Sequence, residues 1–257
     1  MEDLKYNIWL SNLNLAPRKI KNCIEENKNQ KIWNLQEEKL KLFFTDKEIE
    51  KIYNSKNKEK LQVYENYILK HEIGILAITD SNYPIKLKQL EDSPIVLYTL
   101  GDLNLLKEKN IAIVGSRKCS EYGKNVAEAF SYLLSKENIV ITSGLAEGID
   151  TAAHKGSLLV NGKTIAVIGT GIDKVYPKEN KQLLIDIVKS GGLIISEFPI
   201  GTEPNKLNFP KRNRIISALS DGVLVVEAGQ KSGALITVDF ALEQGKNIYA
   251  VPRKRFI

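Results

Sequence analysis

Six short apolar runs punctuate the second half of the chain: IAIV from residue 111, IVIT from 139, TIAVIG from 164, LIISEF from 193, GVLVVEA from 222 and NIYAV from 247. Each is nearly continuous and rich in β-branched residues, the pattern of strands buried on both faces. Amphipathic stretches at roughly 122–135, 148–160, 179–189, 211–219 and 233–244 separate them, so βαβ units are predicted to follow one another. The fold class is therefore α/β with a doubly wound, mostly parallel sheet. Residues 1–70 read differently. They are free of glycine and rich in Lys, Glu and Asn, with apolar residues at helical spacing: Ile8, Leu10, Leu13 and Leu15, then Leu35, Leu40, Leu42 and Phe43. A small N-terminal helical domain is predicted over 1–70, followed by the α/β domain over 71–257. Asp46 is read as a helix cap and 54–60 as a solvated connection.

Composition narrows the class. The chain has 257 residues, 43% hydrophobic and 26% charged, which excludes a collagen, a mucin-like stalk or a disordered tail. Cys23 and Cys119 form no CxxC, and His71 and His154 lack metal-ligand spacing, so no metal or cofactor is expected and a reducing cytosol fits. The N-terminus develops no apolar signal region and no window approaches the ~18 apolar residues of a membrane span. A cytoplasmic protein away from membranes is expected. Lysine plus arginine minus aspartate plus glutamate is 37 minus 31, or +6, a mild excess that suits a polyanionic partner.

In doubly wound sheets ligands sit beyond the carboxyl ends of the strands. The first such turn, Gly115 to Gly123, is not the GxGxxG dinucleotide fingerprint, because Arg117 stands where the second glycine belongs. The second strand ends in Thr142 and Ser143, with no acid to grip a ribose, so a nicotinamide dehydrogenase is excluded. Gly115 and Ser116, Gly144 before the next helix, and Ser232 with Gly233 before the last one could each cradle an anion on bare backbone amides; the same residues would serve close packing and helix capping. Asp150 and His154, four apart, read either as an acid/base pair or as a packed pair. In the third turn Lys174, Tyr176 and Lys178 face whatever lies above the sheet. The fourth turn carries most information: residues 204–214 hold Lys206, Lys211, Arg212 and Arg214 without an acid, and Phe209 lies among them. Cations neutralise phosphates and an exposed ring stacks bases, at about 1–3 kcal/mol per base, so the pair fits single-stranded nucleic acid. A core role for Phe209 with solvated lysines is the plainer alternative.

The motifs GSRKCSEYG, SGLAEGIDTAAH, GKTIAVIGTGIDKVYPKEN, ISEFPIGTEP, NFPKRNRIISALS and VVEAGQKSGALIT, with the final AVP, resemble the DNA-processing protein A family, also called DprA or Smf. The upstream YPIKLKQLEDSPIVLYTLGD is similar to that family's approach to an extended Rossmann-like domain. The resemblance covers about residues 75–252. It implies a protein without catalytic activity that binds single-stranded DNA, forms a homodimer and helps load the RecA recombinase during natural transformation. By motif position it implies DNA contacts from Arg117, Lys178, Lys206, Phe209, Lys211 and Arg212, with Asn213 and Ser232 structural. Residues 1–70 lack the glycines of a helix-hairpin-helix and receive no DNA contacts. The ending RKRFI reads as a truncated tail. The competing class is a nucleotide-binding enzyme that cleaves an N-glycosidic bond, for which Glu227 is the only obvious acid; a third is a module sensing a nucleotide.

Overall fold

The computed structural model describes residues 2–28, 30–230 and 232–252; the RKRFI tail lies outside them. Two compact units emerge, residues 1–98 with 197–199, and residues 99–196 with 200–257. The division thus falls later than the composition shift at residue 70.

The first unit is built from helices α1 (Glu2–Asn12), α2 (Pro17–Glu26), α3 (Glu37–Leu40), α4 (Asp46–Asn54) and α5 (Lys58–Lys70). Strand β1 (Gly74–Ala77), the short helix α6 (Ile85–Lys88) and the start of strand β2 (Val96–Gly101) follow. Pro17 opens α2, where its missing N–H costs nothing. Thr45, not Asp46, caps α4, and its N–H donates to Glu48 Oε2 at 2.8 Å. Of the apolar residues at helical spacing, Ile8, Leu10, Leu13, Leu35 and Leu40 are buried, as are Ile32, Ile52 and Ile68, whereas Leu15 and Phe43 are half-buried and Leu42 is exposed to solvent. Trp9 packs edge-on against Trp33 at 4.9 Å and donates its indole N–H to Ser55 Oγ at 2.8 Å. Bonds in and beside β1 and β2 tie residues beyond 70 into the unit: Ile78 N–H, just after β1, donates to Ile95 O, just before β2, at 2.9 Å, and Tyr98 Oη of β2 shares a 2.6 Å hydrogen bond with Ser11 Oγ.

The second unit alternates β3 (Asn110–Val114), α7 (Glu121–Lys136), β4 (Val140–Ser143), α8 (Ile149–Leu158), β5 (Thr164–Val167), α9 (Lys181–Lys189), β6 (Leu193–Ser196), α10 (Asn208–Leu219), β7 (Gly222–Val225), α11 (Ala234–Glu243) and β8 (Asn247–Ala250). All five pairings among these strands are parallel, in the order β6-β5-β4-β3-β7-β8. This is the mostly parallel Rossmann-like sheet that the apolar runs predict. Strands β4, β5 and β6 are buried throughout. NIYAV departs from the expectation of burial on both faces. As β8 it is the outermost strand, pairs with β7 alone among the described residues, and leaves Asn247, Tyr249 and Ala250 exposed.

From β3 the chain steps outward through β4, β5 and β6, then returns to β7 on the other side of β3. The carboxyl ends of β3 and β7 therefore flank the point where winding reverses, the place where such sheets leave a crevice. Beneath it Ile113, Ile141, Leu224 and Val226 pack with Ala127, Ile149, Ala152 and Ala153 from α7 and α8. No helix among the described residues is long and apolar enough to cross a membrane, and no group of three or more His, Cys, Asp or Glu is placed to hold a metal ion.

Candidate nucleic-acid interface

A cavity of about 610 Å³ opens at that crevice. Its walls come from the turn after β3 (Gly115, Ser116, Arg117, Lys118), the first turns of α10 (Phe209, Arg212, Asn213), and the loop into α11 (Ser232, Gly233). Lys206 and Tyr176 complete it. Arg117, Lys118 and Lys206 are exposed, and Asp150 is the only acidic residue in the lining.

The β6–α10 connection that leads into Phe209 is tied to the turn after β5. Gly171 N–H donates to Thr202 O at 2.9 Å, Gly201 N–H donates to Asp173 Oδ1 at 2.8 Å, and Lys174 pairs with Glu203 at 2.9 Å. These ties hold the two loops together and bring the Tyr176 and Phe209 rings to a centroid distance of 5.4 Å. Phe209 is half-buried, and the Arg117 guanidinium lies over its ring at 5.1 Å, within cation–π range. Lys174, expected to face the crevice, is instead engaged with the loop opposite.

Below this layer lies a buried polar network. Arg212 is 4% exposed, and its Nη1 donates to Gly144 O at 2.5 Å and also to Val167 O. Asp150 Oδ2 accepts from the Gly144 and Ala146 amides at 3.1 and 3.4 Å. Burial pushes the Asp150 carboxyl up and the Arg212 guanidinium down to about 10, while the charge of each opposes the other's shift. Gly144 is threaded between the two, since a Cβ there would sit 2.6 Å from both Asp150 Oδ2 and the Arg212 nitrogens. His154 is fully buried, with Nδ1 2.7 Å from Thr164 Oγ1. The Thr164 hydroxyl donates to Ile141 O at 2.6 Å, so it must accept from His154, which fixes the proton on Nδ1. Nε2 has no hydrogen-bond partner among the described residues, and burial drives the imidazole pKa down to about 3.

Arg117, Lys206 and Phe209 thus meet around one cavity, with Ser232 and Gly233 on its far wall. Three expectations need correction. Arg212 lines the cavity but is no exposed cation: it is buried, and its guanidinium donates to the backbone carbonyls of Gly144 and Val167. Lys178, at the start of a short 3-10 turn, and Lys211, in the first turn of α10, are exposed but lie outside the cavity lining. The amides of Ser116 and Gly144 do not form an open anion cradle. The first donates to Glu227 O at 2.7 Å and the second to Asp150. Gly115 contributes by close packing on Ile149 and the Glu227 carbonyl. Asp150 and His154 bond to different partners and form no acid/base pair. Glu227 accepts from Ser120 N–H and, at 2.6 Å, from Ser120 Oγ, at the N-terminus of α7. Lys118 was missed from the sequence, although it adjoins Arg117 in the same turn.

The fold and this crevice define a Rossmann-like α/β protein with a cationic, aromatic strand-end cavity. The chain belongs to the DNA recombination-mediator protein A family, whose model matches residues 74–256. It is 48% identical to DNA processing protein DprA of Streptococcus pneumoniae over 176 residues, 68% of this chain and 62% of that protein. To protein Smf of Escherichia coli it is 46% identical over 170 residues, covering 66% and 46%. The chain therefore spans about half to two thirds of these curated relatives. Among solved structures, DprA from Streptococcus pneumoniae superposes with a TM-score of 0.86 at 37% identity, over 98% of this chain and 88% of that one. DNA processing protein A from Helicobacter pylori, whose structure is described for its unique single-stranded DNA binding mode, gives 0.66 at 32%, over 72% and 83%.

Proposed function

We propose that the strand-end cavity binds single-stranded DNA, and that the protein carries out no covalent chemistry on it. One observation carries this reading: Arg117, a cation on an exposed turn, lies over the ring of Phe209 in a cavity that Lys118 and Lys206 also line. Cations attract phosphates whatever the sequence, and rings accept only bases whose faces are free, so the combination selects unpaired strands. Duplex DNA offers the charge without the ring faces. The single-stranded DNA binding described for the Helicobacter pylori relative supports the same reading. We propose further that the protein acts in the cytoplasm as a homodimer, shields incoming strands and helps load RecA during natural transformation, a reading that its membership of the recombination-mediator family supports.

The N-glycosidase alternative needs a carboxylate free to act on a sugar. Glu227 is committed to Ser120 at the start of α7, which favours the binding reading. A competition assay tests both classes. Labelled oligo-dT bound to the protein should be displaced by unlabelled single strands and far less by the same length of duplex, with no free base released from nucleoside monophosphates. Equal displacement by duplex, or base release, sinks the proposal.

A further inference from the structure

We infer that Asn180, which lies outside the cavity lining, is a positioning residue of the DNA site: it clamps the turn between β4 and α8, and through that turn fixes where Arg117 stands. This rests on the single-strand reading above and adds a residue to it. Asn180 belongs to the connection between β5 and α9 and is buried, at 7% exposed. Its Nδ2 donates to Leu145 O and to Thr151 Oγ1, each at 2.9 Å. The Thr151 hydroxyl gives its own proton to Ala146 O at 2.7 Å, so it must accept from Asn180, which fixes the orientation of the amide. Both hydrogens of the amide nitrogen are thereby spent on one turn.

That turn needs holding. Leu145 has φ of +57°, a left-handed conformation in which a bulky residue is an outlier, and its side chain is fully buried. Such a residue keeps its conformation only where its surroundings over-determine it. Asn180 holds the Leu145 carbonyl and Arg212 holds the Gly144 carbonyl, so each of the two peptide groups flanking the Leu145 Cα is pinned by one buried side chain. Three residues on, Gly148 lies so close to the Ser116 and Arg117 carbonyls that a Cβ has no room, and Ile149 N–H donates to Ser116 O at 3.3 Å. On its other side the Arg117 turn is held by the Ser116 N–H, which donates to Glu227 O at 2.7 Å. If Leu145 relaxes, the shift passes straight to Arg117, because close packing leaves no gap at Gly148 to absorb it. The place of the Arg117 guanidinium over Phe209 is thus set from a different strand-end loop.

The test is oligo-dT binding by fluorescence anisotropy across a salt series, with thermal melts alongside, for the full chain carrying Asn180→Ala, Thr151→Val or Thr151→Ser, each with and without Arg117→Ala. Asn180→Ala removes no charge and no residue of the cavity wall. It is nevertheless expected to weaken binding about tenfold, the worth of one charge-assisted contact. The slope of log affinity against log salt should become shallower by about 0.7, as if one phosphate contact had gone. In the Arg117→Ala background the same change should cost less than about twofold, since the group it acts through is already missing. Thr151→Val loses the hydroxyl and keeps the shape, and should act in the same direction; Thr151→Ser keeps the hydroxyl and should bind as wild type does. Should Asn180→Ala melt below the assay temperature, the two Thr151 variants carry the same expectations. An unchanged salt slope, or a loss that simply adds to that of Arg117→Ala, overturns the inference and leaves Asn180 a stabilising role alone. If the wild-type chain itself fails to bind oligo-dT, the single-strand reading falls, and this inference with it.

Discussion

The Arg117 guanidinium carbon stands 5.1 Å from the centroid of the Phe209 ring, joining the turn after β3 to the first turn of α10. Arg117 makes the contact from an exposed position, so its charge remains available to a phosphate. Replacing Arg117 with Ala is expected to weaken oligo-dT binding and make the slope of log affinity against log salt shallower by about 0.7, the signature of one lost phosphate contact. The melting temperature should hardly move. Unchanged affinity and slope would remove Arg117 from the interface.

Arg212 should behave in the opposite way, through stability. Arg212→Ala leaves the Gly144 and Val167 carbonyls without their donor and the Asp150 carboxylate buried without its cation. Leaving a buried charge uncompensated in this manner costs about 3–5 kcal/mol. Chemical denaturation measures it, and a loss below about 1 kcal/mol contradicts the assignment of Arg212 to the floor.

The contrast between these two arginines shows what the chain discloses before folding. Strands buried on both faces write themselves as continuous apolar runs, so β3 to β7 and the helices between them were legible. Strands β1 and β2 were not, because GILA and VLYTLG are short and the turns around them dominate the local pattern. Charge is legible in sequence, but its direction depends on helix phase. Arg212 lies at helical spacing from Ile215, Ile216 and Leu219, all buried, and this marks it as inward-facing. That signal was present but outweighed by the run of cations around it. The partnership of Tyr176 with Phe209 had no local signal, since it depends on ties between two loops.

Gly148 starts α8 with φ of +76°, and a Cβ there would lie 2.5 Å from the Arg117 carbonyl oxygen. Gly148→Ala is expected to cost at least about 1–3 kcal/mol from the backbone alone. Because the clash falls on the turn bearing Arg117, DNA affinity should drop as well. A variant with wild-type melting and binding would show that the turn adapts freely.

His154 links stability to pH. Its folded pKa lies near 3, far below the unfolded value near 6.5, so the unfolded chain binds the extra proton between these limits. The stability contribution is complete above pH 6.5 and is lost as pH falls towards 3. Between pH 7 and pH 5 this one group should remove about 2 kcal/mol. Asp150, pushed upward by burial, acts in the opposite sense above the usual carboxylate range. Denaturation of wild type and His154→Asn at both pH values isolates the imidazole: the variant should show a pH dependence smaller by that amount, and equal dependence would contradict it.

The most direct measurement of the central claim is the slope of log affinity for oligo-dT against log salt. Arg117, Lys118 and Lys206 at one cavity predict a slope near −2, at about 0.7 per neutralised phosphate. A slope indistinguishable from zero would mean that this cavity does not grip a phosphate backbone.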